Sequence, residues 1–166
     1  MTTLAITTDK ILLNIKLNLC YNQTVNENWS KAMAKKTMTL AEFYAKCNAG
    51  ERDFTGVKLL NPELIRFQGI PSGIILKKAY LNGANLEEIG IHAVDLSYAK
   101  LRKTRLGETG FGDTNLEGAD FRGADFCQTS FYGCNLRRAN FSRVALKEFL
   151  FVDCDLSYAN LKDATG

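Results

Sequence analysis

Large apolar residues recur at every fifth position from Leu76 to Leu161, and this step organises about half of the chain. The eighteen positions on it, from Leu76, Leu81, Leu86 and Ile91 through to Leu156 and Leu161, are all Leu, Phe or Ile. A second column stands two residues before each and is mostly small: Ala79, Ala84, Ala99, Thr104, Thr109, Thr114, Ala119 and onward, with Ile74, Ile89 and Phe149 as large exceptions. Between the columns the residue is often Asn or Asp, as at Asn85, Asp95, Asn115, Asp120, Asn140 and Asp155. Period five fits neither the 3.6 of a helix nor the 2 of a strand. A chain that buries positions i and i−2 in every five must turn a corner in each repeat. Short extended pieces supply the alternation, and Asn, Asp and Gly supply the turn chemistry. The expected architecture is a solenoid whose units bury their apolar residues against the coils above and below.

A second period of 20 lies beneath the first. Ala79, Ala99, Ala119, Ala139 and Ala159 form one column, and Leu76, Leu96, Leu116, Leu136 and Leu156 another. Ile91, Phe111, Phe131 and Phe151 form a third, which predicts phenyl rings stacked from coil to coil. "DLSYAKL" (95–101) and "DLSYANL" (155–161) are therefore the same stretch of wall three coils apart.

The stretches "NLEGADFRGADF" and "DLSYANLKDA" resemble the A(D/N)LXX units of the pentapeptide-repeat family, and the match runs over residues 74–163. The resemblance implies an all-β fold: a right-handed quadrilateral β-helix with four pentapeptides per 20-residue coil. Stacked at about 4.8 Å, the uninterrupted coils would form a rod on the order of 20 Å long.

Upstream, Phe54, Leu59 and Leu64 keep the five-residue step in another phase, so two extra residues are expected in an interruption near 65–73, around "FQGIPSG". Before the repeats, Thr39 and Glu42 form a capping-box pattern. Leu40, Phe43, Tyr44 and Cys47 then fall on one helical stripe that stops at Gly50, which predicts a short N-terminal capping α-helix within 38–50. Residues 51–166 form the β-helix of this reading. Residues 1–37 are expected to be a peripheral extension containing a strand in the alternation Ile11, Leu13, Ile15, Leu17, Leu19, and Met38 reads as a natural start. At the other end the repeats run to Leu161 without a cap. There "EFLFV" (148–152) breaks the pattern: Phe149 fills a small-residue position, and Leu150 and Val152 stand outward, with Tyr132 one coil below Val152. Local repacking is the plainer account, and an apolar interaction patch the sharper one.

Composition narrows the functional classes. The 166 residues carry a formal charge of +3, yet residues 74–166 hold twelve Lys/Arg and twelve Asp/Glu. A neutral body gives no long-range field for capturing nucleic acid, so direct nucleic-acid binding is not expected. No apolar run reaches about 18 residues, so no membrane association is expected. Five cysteines (Cys20, Cys47, Cys127, Cys134, Cys154) make no CxxC pair, which suggests reduced thiols in a cytoplasmic protein.

Candidates for chemistry are few. His92 is the sole histidine and stands outward with no Ser, Cys or carboxylate fixed beside it, so triads and most zinc sites lack support. Cys134 and Cys154 share an inward column and read as buried apolar thiols, while Cys127 faces outward. No catalytic, cofactor or metal residues are assigned, and an enzyme is not expected. Glu87, Glu88, Glu108 and Glu148 gather on one face, and Arg102, Lys103, Arg122, Arg143 and Lys162 on the next.

The expected function is a non-enzymatic interaction or scaffold protein whose surface includes Tyr132, Leu150, Val152, Arg102, Lys103, Arg122 and Arg143. Its partner is an unidentified protein, with a homodimer through the C-terminal coil as a further association. The family resemblance supplies the alternative, a DNA mimic that binds, inhibits or protects a type II topoisomerase. The near-neutral body and basic patch count against that. The order of cap helix and "AGERDF" is similar to small family members abundant in cyanobacteria.

Overall fold

The structure, a computed structural model, describes residues 37–60 and 69–166. The alternation over 11–19, the proposed extension 1–37 apart from Thr37, and Leu64 lie outside the described residues.

The chain from Thr37 opens with strand β1 (Thr37–Thr39), which runs directly into helix α1 (Leu40–Asn48). Thr39 caps α1 with the full reciprocal box: its hydroxyl accepts from the Glu42 backbone N–H, and the Glu42 carboxylate accepts from the Thr39 backbone N–H at 2.7 Å. Phe43 and Cys47 bury one face of the helix, and Phe43 packs against Phe54 of the first coil with ring centroids 4.7 Å apart. A boundary at 37/38 would cut β1, because Thr37, Met38 and Thr39 pair in parallel with Lys58, Leu59 and Leu60 of β2 (Lys58–Leu60). A three-residue strand carries too weak an alternation to be read from sequence.

Above this base the coils form a quadrilateral parallel β-helix. One wall is a four-stranded parallel sheet of β3 (Gly90–His92), β4 (Gly110–Gly112), β5 (Ser130–Tyr132) and β6 (Leu150–Val152), each strand pairing with its counterpart in the next coil. The other three walls are laddered by isolated parallel bridges such as Asp95↔Asn115, Lys100↔Asp120 and Arg105↔Asp125. The walls are called here A (centred on Leu96), B (Leu101), C (Leu106) and D (Phe111).

Lower down, the register shifts in two steps. The offsets are 22 for Asp53↔Ile75 and Lys58↔Tyr80, 21 for Ile70↔Ile91, and 20 for Ile75↔Asp95. One extra residue therefore lies between Lys58 and Ile70 and the other between Ile70 and Ile75, on either side of an Ile70 that still points into the core.

Inside, the fivefold columns are dry. Leu76, Leu96, Leu116 and Leu136, with Ala79, Ala99, Ala119 and Ala139, are fully buried. The Phe111 and Phe131 rings stack at 4.6 Å and 4°, whereas Phe131 and Phe151 tilt to 38° at 5.5 Å. Phe149 causes the break by wedging edge-on against Phe151 at 4.4 Å and 82°. The "small" column also has a polar function. Buried Thr109 and Thr129 donate their hydroxyls to the Leu86 and Leu106 carbonyls at 2.6 and 2.7 Å, so each oxygen enters the core with a partner.

The corners correct the sequence reading of the glycines. The second residue after each central apolar position has positive φ in all eighteen repeats, from Lys78 to Asp163, and only four of these are Gly. On walls A, B and C the corner is closed by a turn bond such as Ala79 N–H to Leu76 C=O at 2.9 Å. Lys, Glu, Arg and Tyr tolerate the left-handed backbone because each coil's ladder holds it in place. Gly107, Gly110 and Gly112 sit elsewhere and have no positive φ, while Gly118 does turn a corner. The Asn and Asp positions contribute differently: Asn85, Asp95 and Asn135 each accept from the backbone N–H two residues on, at 2.9 to 3.2 Å.

Candidate functional site

The outward positions give each wall its own chemistry. Wall B carries Lys100, Arg102, Lys103, Arg122, Arg143 and Lys162 against Asp120 and Asp163. Wall C reverses this, with Glu87, Glu88, Glu108, Asp125 and Glu148 against Arg105 and Lys147. Wall D carries no Lys or Arg at its outward positions in any of its four strands. The neutral total thus conceals a rod with unlike sides.

Wall B is built around one carboxylate. Asp120 stacks between Lys100 below and Asn140 above, and is only 6% exposed. Arg102 donates Nε–H to its Oδ2 at 2.6 Å, while Arg122 donates Nε–H to Oδ1 and Nη2–H to Oδ2, both at 2.8 Å. Removing a carboxylate from water is costly, and the two guanidinium groups are what offset it. The Arg side chains stay 47% and 43% exposed, so their forks are positioned but remain open to solvent. Among the described residues Arg102 keeps both Nη groups and Arg122 keeps Nη1 for other acceptors. Lys103 makes no ion pair among the described residues, and Arg143 reaches Asp163 only at 3.9 Å.

Wall C shows a shallow hollow of about 320 Å³ where Gly107 leaves out a side chain, lined by Glu87, Glu88, Glu108, Asp125 and Cys127. Glu87, one of the lining residues, is held by a forked pair from Arg105 at 3.0 and 2.6 Å. Wall A links Tyr98, Glu117 and Arg138: the Tyr98 hydroxyl and the Arg138 guanidinium both donate to Glu117. Arg137 and Arg138 flank the exposed Tyr158 ring, each 5.8 Å from its centre. Arg137 also pairs with Asp155, whose carboxyl is pulled down to about 2, mainly by its hydrogen bonds from the Ser157 hydroxyl and backbone N–H.

Of the residues singled out from sequence, Arg102, Arg122, Lys103 and Arg143 share wall B, the first two on one carboxylate. Tyr132 and Val152 pair directly in the wall D sheet, and Leu150 sits beside Ser130. Tyr132 and Leu150 are 47% and 46% exposed. His92 is exposed, its ring lying over Gly112. Cys134 is buried, and burial raises its thiol to about 11. Cys134 and Cys154 are free thiols, and Cys127 is exposed. Among the described residues no helix is long and apolar enough to cross a membrane.

Sequence reasoning missed Asp120. A usable signal existed: Arg102 with Asp120, Glu87 with Arg105, and Arg137 with Asp155 all share one spacing, two positions short of a full coil. That offset sets the residue after one central position diagonally beneath the residue before the next.

Comparison with known proteins agrees with this architecture. Residues 109–147 and 134–165 match the family described as pentapeptide repeats, in eight copies. No curated protein matches the chain. Among solved structures the chain is similar to QnrB1, a plasmid-mediated fluoroquinolone resistance protein, at 24% identity over 68% of this chain and 57% of that one, with a TM-score of 0.44. It is similar to Rfr23 of the cyanobacterium Cyanothece 51142 at 22% identity over 68% and 58%, TM-score 0.32. A pentapeptide repeat protein of the Arabidopsis thaliana thylakoid lumen is 29% identical over 55% and 62%, TM-score 0.37. The chain spans less than two thirds of the length of each. With the fivefold columns continuous from Leu76 to Leu161 and the family match covering their upper coils, residues 109–165 are built of pentapeptide repeats and the coils below continue the same step.

Proposed function

We propose that the protein is a non-enzymatic binding scaffold that docks an acidic segment of a partner protein on wall B. One observation carries this reading. A nearly buried carboxylate, Asp120, holds two exposed arginines in fixed positions on a wall with six cations and two carboxylates. A wall needed only for solubility has no use for a desolvated charge at its centre. The basic wall also argues against DNA mimicry, which requires a surface acidic on the docking side. The test is affinity capture from the native cell with wild type, Arg102→Glu/Arg122→Glu and Leu150→Asp/Val152→Asp. Loss of the same partner from the wall B variant alone is expected. Identical partner sets for wild type and wall B variant would refute the reading, and gyrase inhibition or protection in a supercoiling assay would restore the topoisomerase alternative.

A second association, between two copies through the C-terminal coil, has support from the exposed apolar surface there: Leu150 and Leu161 are each 46% exposed. Sedimentation of wild type against the Leu150→Asp/Val152→Asp variant reads it directly, and an unchanged monomer in both would dismiss it.

A further inference from the structure

Three features of wall B converge on Gly123. Its column runs Lys103, Gly123, Arg143, at successive corners about 4.8 Å apart, so the glycine leaves an empty step between two exposed cations. Backbone conformation does not demand this glycine. φ is +69° at Gly123, but Lys103 and Arg143 in the same column hold +56° and +60° with long side chains. Nor does crowding: a Cβ built at Gly123 would meet only the Lys103 Cγ, at an ordinary 3.7 Å. The empty step therefore leaves accessible space among cations. Beside it stands Arg122, clamped by Asp120, and one coil below is Arg102; among the described residues Nη1 of Arg122 and both Nη groups of Arg102 are uncommitted.

We propose that the step over Gly123, bounded by Lys103, Arg122 and Arg143 with Arg102 beneath, seats a phosphorylated side chain of the partner protein. This rests on the reading of wall B as the docking surface, and it names the chemistry that surface takes. A phosphate monoester brings nearly two negative charges and three acceptor oxygens to a place where Lys103 and Arg143 stand exposed next to the clasped Arg122. A single carboxylate brings one charge and two acceptor oxygens, fewer of each than the phosphate. Nucleic acid fits less well, because a long run of phosphates would pass beyond wall B onto Glu87, Glu88, Glu108 and Glu148 of wall C. One phosphate in a short acidic segment confined to wall B avoids that repulsion.

The experiment is a titration of the full chain with N-acetyl-phosphoserine amide and with inorganic phosphate at constant ionic strength, read by amide and arginine Nε–H NMR shifts. Saturable shifts confined to residues around Lys103, Gly123 and Arg143 are expected, with a Kd of order 1 mM for the isolated probe. Lys103→Ala and Arg143→Ala should each weaken binding about fivefold, and Gly123→Gln, which fills the step, should abolish it. Arg105→Ala removes a cation from wall C and should leave the affinity unchanged. Shifts that never saturate, or an Arg105→Ala effect equal to that of Arg143→Ala, would overturn the proposal, as would a single-stranded oligonucleotide competing better than phosphoserine. The outcome separates from the broader reading. Phosphoserine binding with an unaltered captured partner set would retain the seat and reject the docking surface. A partner lost from the Arg102→Glu/Arg122→Glu variant, with no phosphoserine binding by wild type, would do the reverse.

Discussion

Replacing Phe131 with alanine tests whether the aromatic stack is the mechanical centre of the upper coils. Phe131 is fully buried, with Phe111 stacked at 4.6 Å beneath it and Phe149 and Phe151 at 5.3 and 5.5 Å. A buried Phe→Ala change costs about 3–5 kcal/mol through lost transfer energy and the remaining cavity. The parallel stack with Phe111 adds roughly 1 kcal/mol of ring geometry, which places Phe131→Ala towards the upper end of that range. Phe151 is only partly buried and its ring is tilted, so Phe151→Ala should cost about half as much. Phe131→Leu keeps most of the volume and should cost about 1 kcal/mol. Against a total stability of about 5–15 kcal/mol, the alanine variant should lower Tm by on the order of 15 °C. The assay is urea unfolding of the full chain followed by circular dichroism, comparing midpoint and slope for all three variants. Because each coil contacts only its neighbours, a lower slope for Phe131→Ala would mean that the coils above the cavity melt separately. A cost for Phe131→Ala no greater than for Phe151→Ala would refute this account, as would a Phe131→Leu cost equal to the alanine one.

Three further outcomes follow from single columns. Thr129→Val keeps the shape but removes the hydroxyl bond to the Leu106 carbonyl at 2.7 Å, leaving that oxygen only the Thr109 N–H at 3.1 Å, and should cost about 1 kcal/mol in the same urea assay. Cys127 should react with a disulfide reagent in the native protein, whereas Cys134, buried and with its thiol raised to about 11, should react only after unfolding. The Asp155 carboxyl should titrate near 2 by NMR, below its ordinary 3.8, so its contribution to stability is complete above about pH 4 and is lost as pH falls towards 2. Ser157→Ala should raise that titration more than Arg137→Ala, because the Ser157 bonds are the larger cause.

How much of this was legible in the sequence depends on whether a feature repeats. The Leu and Ala columns recur at steps of five and 20, so coil, wall and inward direction could all be assigned from the pattern alone. The same steps put Lys103 and Arg143 in one column. The register shift around Ile70 was visible as a total of two residues, but its division into one and one was not, since periodicity measures only the distance between the regular stretches on either side. The tilt of Phe151 escaped for a related reason. A large residue at position 149 signals a disturbance, but rings relax by rotation, and the direction depends on neighbours in two coils. Asp120 is the instructive case. Its column reads Lys100, Asp120, Asn140, Asn160, so as a turn-forming residue it looks interchangeable with the asparagines above it. Asn140 accepts from the Ser142 N–H just as Asp120 accepts from the Arg122 N–H. What distinguishes Asp120 is the pair of arginines around it, Arg102 in the coil below and Arg122 next but one along the chain. Arg122 reaches it locally, but Arg102 does so only because each coil brings the chain back over itself. The turn role is local and belongs to the five-residue repeat. The clasp is a relation between coils, and a solenoid's individual chemistry is written in such relations, superimposed on a repeat that by itself specifies only the rod.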